Sequence, residues 1–353
     1  MKSLTTEIVY AATSAQLMLE ELTMRTPLLL ALTLSACVSP IGERDHEDFG
    51  ADAGVGTGSA ATGCDDLEIV TKNLTVSGTS AFTGLPTTCW KLNGKLVVTG
   101  PAVTSLAKLG DLREVTDLEL NDSELAKLDM SHPLDVSGDI YIHNNDKLTD
   151  LSGIAAKSTV KSIRVEYNPL LTNLGGLKSA TIVAGATTIA NNSKLATVDL
   201  SSAQRLEGGL TISDNGVLKS ISLTSLQSTG AITIARNPQL TTINASSSLT
   251  QVHSTFSLDD NDALTTLGQF GTGITFSSGV SITGNLNLSS LGALSHAQSI
   301  LGIISVNNNS ALDFTYAHEV ACCVTSGGFT AQNNMYQDCE GGHWCQNQHN
   351  CYR

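Results

Sequence analysis

The chain has 353 residues, with 19 Lys and Arg against 33 Asp and Glu and a formal net charge of −14. So few cations exclude a broad grip on nucleic acid or on anionic lipid headgroups, both of which need a basic patch. Aromatic residues make up 4% of the chain, which leaves little surface for stacking sugar rings or bases.

In chain order, residues 1–36 read as a signal region. The apolar run over residues 28–37 closes on Leu34, Ser35, Ala36 and Cys37, and it resembles a bacterial lipobox, where a thiol takes lipid and the preceding peptide is removed. The run is too short to cross a bilayer, which needs about 20 apolar residues. Glu7, Glu20 and Glu21 stand where a basic segment is expected, and Met24-Arg25 directly before the run offers a second start. Cys37 is the predicted lipidation site. Residues 37–63 follow as a tether, rich in Gly, Ala, Asp and Ser from residue 42 and without apolar periodicity. An anchored tether of this type predicts the bacterial cell envelope, at the outer membrane or cell surface.

From residue 64 to about 320 the chain is repetitive. An asparagine recurs at Asn145, Asn168, Asn192, Asn215, Asn237, Asn261, Asn285 and Asn309, at steps of 22 to 24 residues. Each has a Leu three residues later: Leu148, Leu171, Leu195, Leu218, Leu240, Leu264, Leu288 and Leu312. A fixed period in this range marks a solenoid, one coil per repeat, and overrides the expectation of two or three globular domains for this length. Apolar residues lie five and three places before the asparagine, as in Ile140 and Ile142, Leu210 and Ile212, or Val280 and Ile282, with Thr187 replacing the first member beside Ile189. Such alternation predicts a half-buried strand. After the asparagine the spacing changes to three, as in Leu171, Leu174 and Leu177, which is too short and too interrupted for a stable helix and suits an extended or 3₁₀-like arc.

The asparagines are expected at coil corners. A short side chain carrying both a donor and an acceptor can bond its stacked copies and the turn backbone. The strand register also runs backwards through Leu118 and Leu120, Leu96 and Val98, and Leu74 and Val76, with Asp122 and Leu125 as a degenerate corner. The expected fold is therefore all-β, a right-handed parallel β-helix resembling a leucine-rich-repeat solenoid, of about eleven turns and on the order of 50 Å long.

Solenoid ends expose apolar core and unpaired edges, so both need caps. Cys64 and Cys89 flank the first turn and can close it. Cys322, Cys323, Cys339, Cys345 and Cys351 crowd the segment 321–353, which reads as a disulfide-stapled cap suited to an oxidising compartment. Seven cysteines remain after Cys37, so one is left over or pairs with another chain. His343 and His349 lie among them, but the paired Cys-x-x-Cys spacing of a zinc site is absent.

Signals of catalysis are poor. Asp259, Asp260 and Asp262 surround Asn261, with Asp214 nearby, an acidic group that could hold calcium but is also ordinary turn chemistry. His143, His253 and His296 fall at unrelated repeat positions, and no nucleophile-elbow, zinc-helix or phosphate-loop motif occurs. Tyr141, Tyr167 and Phe256 lie near strand positions, where packing is the simpler reading than a sugar platform. The expectation is a non-catalytic protein with no cofactor and no metal.

The unit apolar-x-apolar-x-x-Asn-x-x-Leu, clearest in Leu210 to Leu218 and Ile232 to Leu240, resembles the receptor L-domain over roughly residues 74–320. That family is a leucine-rich-repeat-like right-handed β-helix of receptor ectodomains, fungal wall proteins and bacterial surface lipoproteins. The resemblance implies extracellular binding or a structural role at the surface, and it transfers no site residue. The expected partner is a protein or another cell-envelope component, with the membrane reached only through the lipid anchor; a glycan-binding module is the alternative, and a polysaccharide-acting β-helix enzyme a more distant one.

Overall fold

The computed structural model describes Cys64, residues 67–312, residues 329–332 and Asn334. Among these, the chain is a parallel β-solenoid of about ten turns, and its only helical segments are four short 3₁₀ turns. The sequence expectation of about eleven turns assigns one turn to each inward strand position from Leu74 to Ile304.

Three parallel sheets run along the coil. The main sheet has 15 strands and contains the segments read from the sequence as alternating strands. A second sheet has seven short strands, from Thr159–Val160 to Ser299–Ile300, and a third has three, Thr197–Asp199, Ser220–Ser222 and Thr242–Asn244. One middle coil shows the course: Thr187–Ala190 on the main sheet, Thr197–Asp199 on the third, Arg205–Leu206 on the second, then Leu210–Ser213 back on the main sheet. Thr187 pairs with both Ile163 and Leu210 in register, so equivalent residues of successive repeats stack.

The core follows from that stacking. Ile140, Ile163, Leu210, Ile232, Phe256, Val280 and Ile304 form one inward row, all at most 2% exposed. The Leu three places after each ladder asparagine is fully buried, and its N–H closes a turn on the asparagine's own carbonyl, as Leu218 does on Asn215 at 3.1 Å. The spacing of three closes the arcs, two of them as the 3₁₀ turns Leu177–Ser179 and Gly292–His296. Phe256, Phe270 and Phe276 pack edge to face in the late coils, with ring centres 5.6 to 6.4 Å apart. Thr187 sits in the inward row with its hydroxyl buried and unpartnered.

At the N-terminal end, Trp90 is buried and donates its indole N–H to the Leu109 carbonyl at 3.0 Å. Ala81, Phe82 and Leu85, on the connection before Trp90, pack against the end of the core. The Cys64–Cys89 disulfide, with Cα atoms 5.7 Å apart, ties the first strand to this end as the sequence allowed.

Candidate binding surface

The asparagine ladder is internal. All eight predicted asparagines are fully buried. Each donates both its backbone N–H and its side-chain Nδ2 to the Oδ1 of the next. For Asn215 these bonds reach Asn237 Oδ1 at 3.1 and 3.3 Å. The same Nδ2 also reaches the Ser213 carbonyl of its own turn at 2.9 Å and the Ile189 carbonyl of the preceding turn at 3.1 Å. The side-chain amides thus align head to tail along the coil and satisfy corner groups that have no sheet partner. Asn334 adds a rung, accepting from Asn309 N and Nδ2 at 3.1 and 3.4 Å, while Phe329–Gln332 pairs in register with Ile304–Asn307. The coil's register therefore runs into the segment read as a cap.

The first rung differs from expectation. Asp122 is not a ladder residue: Ser123 takes that place, and its N and Oγ donate to Asn145 Oδ1 at 3.2 and 2.8 Å. Asp122 stands one place earlier, at φ 49°. That place is left-handed in every coil from Asp122 to Asn308, through Asn144, Tyr167, Asn191, Asp214, Arg236, Asp260 and Gly284. Gly, Asn and Asp tolerate this conformation, whereas Tyr167 and Arg236 do so at a cost. The recurring ruler is therefore a pair, a left-handed residue that turns the chain and a buried asparagine that bonds the corner.

The acidic group is divided by a cation. Arg236 Nε and Nη2 bind both carboxylate oxygens of Asp214, at 2.6 and 2.8 Å. That hydrogen-bonded guanidinium holds the Asp214 carboxyl below the usual carboxylate range. Asp259 moves the other way: burial pushes its carboxyl up and Asp260 adds to the effect, against a hydrogen bond from Ser257. Among the described residues, no group of three or more His, Cys, Asp and Glu is placed to hold a metal ion. The histidines are dispersed. His143 lies edge-on to Tyr141 with ring centres 6.0 Å apart, His253 follows the second-sheet strand Gln251–Val252, and His296 ends a 3₁₀ turn. Cys37, Cys322, Cys323, Cys339, Cys345, Cys351, His343 and His349 lie outside the described residues.

What the sequence reading missed is the outward row of the main sheet. The residue between the two inward positions of each strand forms one continuous register: Thr75, Val97, Glu119, Tyr141, Arg164, Thr188, Thr211, Thr233, Ser257, Ser281, Ser305 and Thr330. Its signal in the sequence is a Thr or Ser four places before each asparagine from Asn192 onward, a residue type ordinary at any exposed strand position.

The row has two halves. The first is charged and laced by cross-strand pairs. The Arg164 guanidinium covers the Tyr141 ring at 5.0 Å, donates to the Tyr141 hydroxyl and pairs with Glu166 at 3.2 Å. Lys95 pairs with Glu119, and beside the row Lys91 meets Glu114 at 2.5 Å. Lys157 meets Asp135 at 2.5 Å, and that hydrogen bond holds its ammonium above the usual lysine range. The second half, from Thr188 to Thr330, carries hydroxyls alone, stacked at the strand spacing of about 4.8 Å. The flanking positions Ala190, Ser213 and Ala235 are short, so the face is flat over these coils; in the later coils the same register carries Asp259, Thr283, Asn307 and Gln332.

A separate concavity of about 500 Å³ opens beyond the last strand of the third sheet, where successive coils are joined by the single bridge Thr266 to Ser290. Thr266, Gln269, Ser290 and His296 line it with polar groups over Leu267 and Phe270. No family model, curated protein or solved structure matches the chain. The fold defines the protein's class as a parallel β-solenoid, here with an internal asparagine ladder.

Proposed function

We propose that the protein is a surface-anchored lipoprotein of the bacterial envelope whose solenoid body binds an envelope component through the hydroxyl-bearing half of its main sheet, without catalysis. The hydroxyl row from Thr188 to Thr330 carries this reading. The row sets donors and acceptors at a regular spacing, and from Thr188 to Thr233, beside the short Ala190, Ser213 and Ala235, it forms a flat surface that suits an extended partner. The lipobox-like run ending at Cys37 and the tether after it support the anchor, and the repeat's resemblance to receptor L-domains supports a role in extracellular binding. The net charge of −14 favours a protein partner over an anionic polymer.

Two experiments test the reading. Mass spectrometry of the mature chain is expected to find a lipid-modified N-terminal Cys37; a chain that keeps residues before Cys37 and carries no lipid removes the anchor. Photo-cross-linking from the main sheet on intact cells is expected to capture a partner. Replacing Thr188, Thr211 and Thr233 together with Lys should abolish that capture while the melting temperature changes little, and undiminished capture by the folded triple variant refutes the binding face. A glycan partner is the second reading, favoured by Tyr167, which is 55% exposed in a left-handed conformation that costs an aromatic residue energy. Loss of binding to isolated envelope polysaccharide on Tyr167→Ala would select it.

A further inference from the structure

The N-terminal end of the coil holds an arrangement that neither the ladder nor the outward face uses. Cys89 directly precedes the strand Trp90–Thr99 and is bridged to Cys64. On the neighbouring strand Leu112–Asn121, Leu112 faces Trp90 and Glu114 faces Lys91, so Arg113 is an extra residue in a β-bulge. A bulge re-aims a side chain out of the regular pleat. Here it brings Arg113 Nη2 to 3.8 Å from Cys89 Sγ and 3.3 Å from Asp111 Oδ1. The Arg113 Nε–H is buried and has no partner. A disulfide sulfur is neutral and a weak acceptor, so the closed bridge adds little to the pair that the guanidinium makes with Asp111; a thiolate at Cys89 would offer it a second charged acceptor.

We propose that Cys64 is a site of thiol–disulfide exchange, with Cys89 as the leaving sulfur and Arg113 as the group that receives its charge. The co-reactant is a thiolate, from a small thiol or from a cysteine of another protein. Its sulfur attacks Cys64 Sγ and forms a new S–S bond there. The Cys64–Cys89 bond breaks, and its electron pair stays on Cys89 Sγ as a thiolate beside Arg113. The incoming sulfur is oxidised to the mixed disulfide as Cys89 is reduced, so electrons balance without a further reagent. Exchange is faster when the leaving thiol is more acidic, and a neighbouring arginine favours the thiolate. Asp111 tempers the effect: besides Arg113, it accepts from Ser131 Oγ at 3.3 Å and lies 3.9 Å from His132 Nε2. Exchange leaves the incoming thiol covalently attached at Cys64, ahead of the strand Glu68–Val70. It also releases the clamp around Ala81, Phe82 and Leu85, which pack on the end of the core. The proposal is independent of the binding face.

The test incubates the intact protein with reduced glutathione near neutral pH, stops the reaction with iodoacetamide and maps the products by peptide mass spectrometry. Glutathione is expected on Cys64 and the alkyl group on Cys89, about tenfold or more over the reverse arrangement. Arg113→Met should slow exchange by about tenfold and bring the two arrangements towards equality, whereas Arg113→Lys should keep most of the preference. Asp111→Asn, which frees the guanidinium, should strengthen it and carries the test alone if the methionine variant does not fold. Glutathione found mainly on Cys89, or a product ratio unmoved by Arg113→Met and Asp111→Asn in folded protein, overturns the proposal.

Discussion

Replacing Asn215 with Ala removes a middle rung of the ladder. Its Oδ1 accepts from Asn192 N at 3.0 Å and from Asn192 Nδ2 at 3.4 Å, and its Nδ2 donates to the Ile189 carbonyl, the Ser213 carbonyl and Asn237 Oδ1. Several partners keep other bonds. Asn192 Nδ2 still reaches Val165 O and Ala190 O, Ser213 O still accepts from Asn191 N, and Asn237 Oδ1 still accepts the backbone N–H of residue 215. The Asn192 backbone N–H, buried and aimed at the missing oxygen, is left orphaned at about 1–3 kcal/mol, and each bond lost from Nδ2 adds roughly 0.5–1.5 kcal/mol. Ala also no longer desolvates an amide of its own, which offsets part of the sum. A net loss of about 3 kcal/mol is expected, or a fall in Tm of roughly 6–12 °C for a body of this size. Asn215→Asp separates the two halves of the amide: it keeps the acceptor but turns a carboxylate towards two carbonyls, so at neutral pH it should cost more than Ala. Thermal melts followed by circular dichroism measure both. The exposed Asn287, with one bond to Asp262 O at 2.8 Å, is the control, and its Ala variant should lose less than about 1 kcal/mol. If Asn215→Ala were no more destabilising than Asn287→Ala, the ladder would not be what holds the corners.

The other predictions concern single strained or unsatisfied groups. Thr187→Val keeps the shape of a side chain whose buried hydroxyl has no partner, and should raise stability by about 1 kcal/mol in urea unfolding. Tyr167→Asn places a residue suited to left-handed backbone at φ 56° and should gain about 1 kcal/mol, read as a higher Tm. Asp259 has its carboxyl raised above the ordinary 3.8, mainly by burial, so the native state binds this proton more tightly than the unfolded chain. Its contribution therefore weakens as pH rises through that window. Asp259→Asn should raise the urea midpoint at pH 7, with the gain shrinking as pH falls towards 3.8. A gain that grew on acidification would refute the assignment.

The architecture was legible because each coil repeats the same instruction. Period-two apolar pairs such as Leu210 and Ile212 show a strand, the buried Leu218 closes the turn, and Asn215 marks the corner. Repetition at 22 to 24 residues forces equivalent positions into register, so the ladder could be read from spacing alone. The degenerate first corner was less legible. Asp122 has an asparagine-like side chain and a Leu three residues on, yet Ser123 is the residue three places after the inward Leu120, as Asn145 is three after Ile142. Ser123 therefore takes the ladder, and the irregular step is the two-residue spacing from it to Leu125. The outward hydroxyl row was visible but carried no weight, since a Thr between two apolar residues is what any exposed strand position offers.

The sequence by itself determined the coil, its inward rows and its eight asparagine corners, because these depend on periodicity, and it offered Cys64 and Cys89 as a pair able to close the first turn. Only the tertiary structure decided which side chains meet across repeats. It paired Arg236 with Asp214 and so divided the acidic group, laid Arg164 over Tyr141, joined Thr188 to Thr330 in one continuous row, and turned Arg113 towards Cys89 through a bulge. The reason is physical: such contacts join residues about 22 or more positions apart, and a single inserted or deleted residue shifts which of them stack.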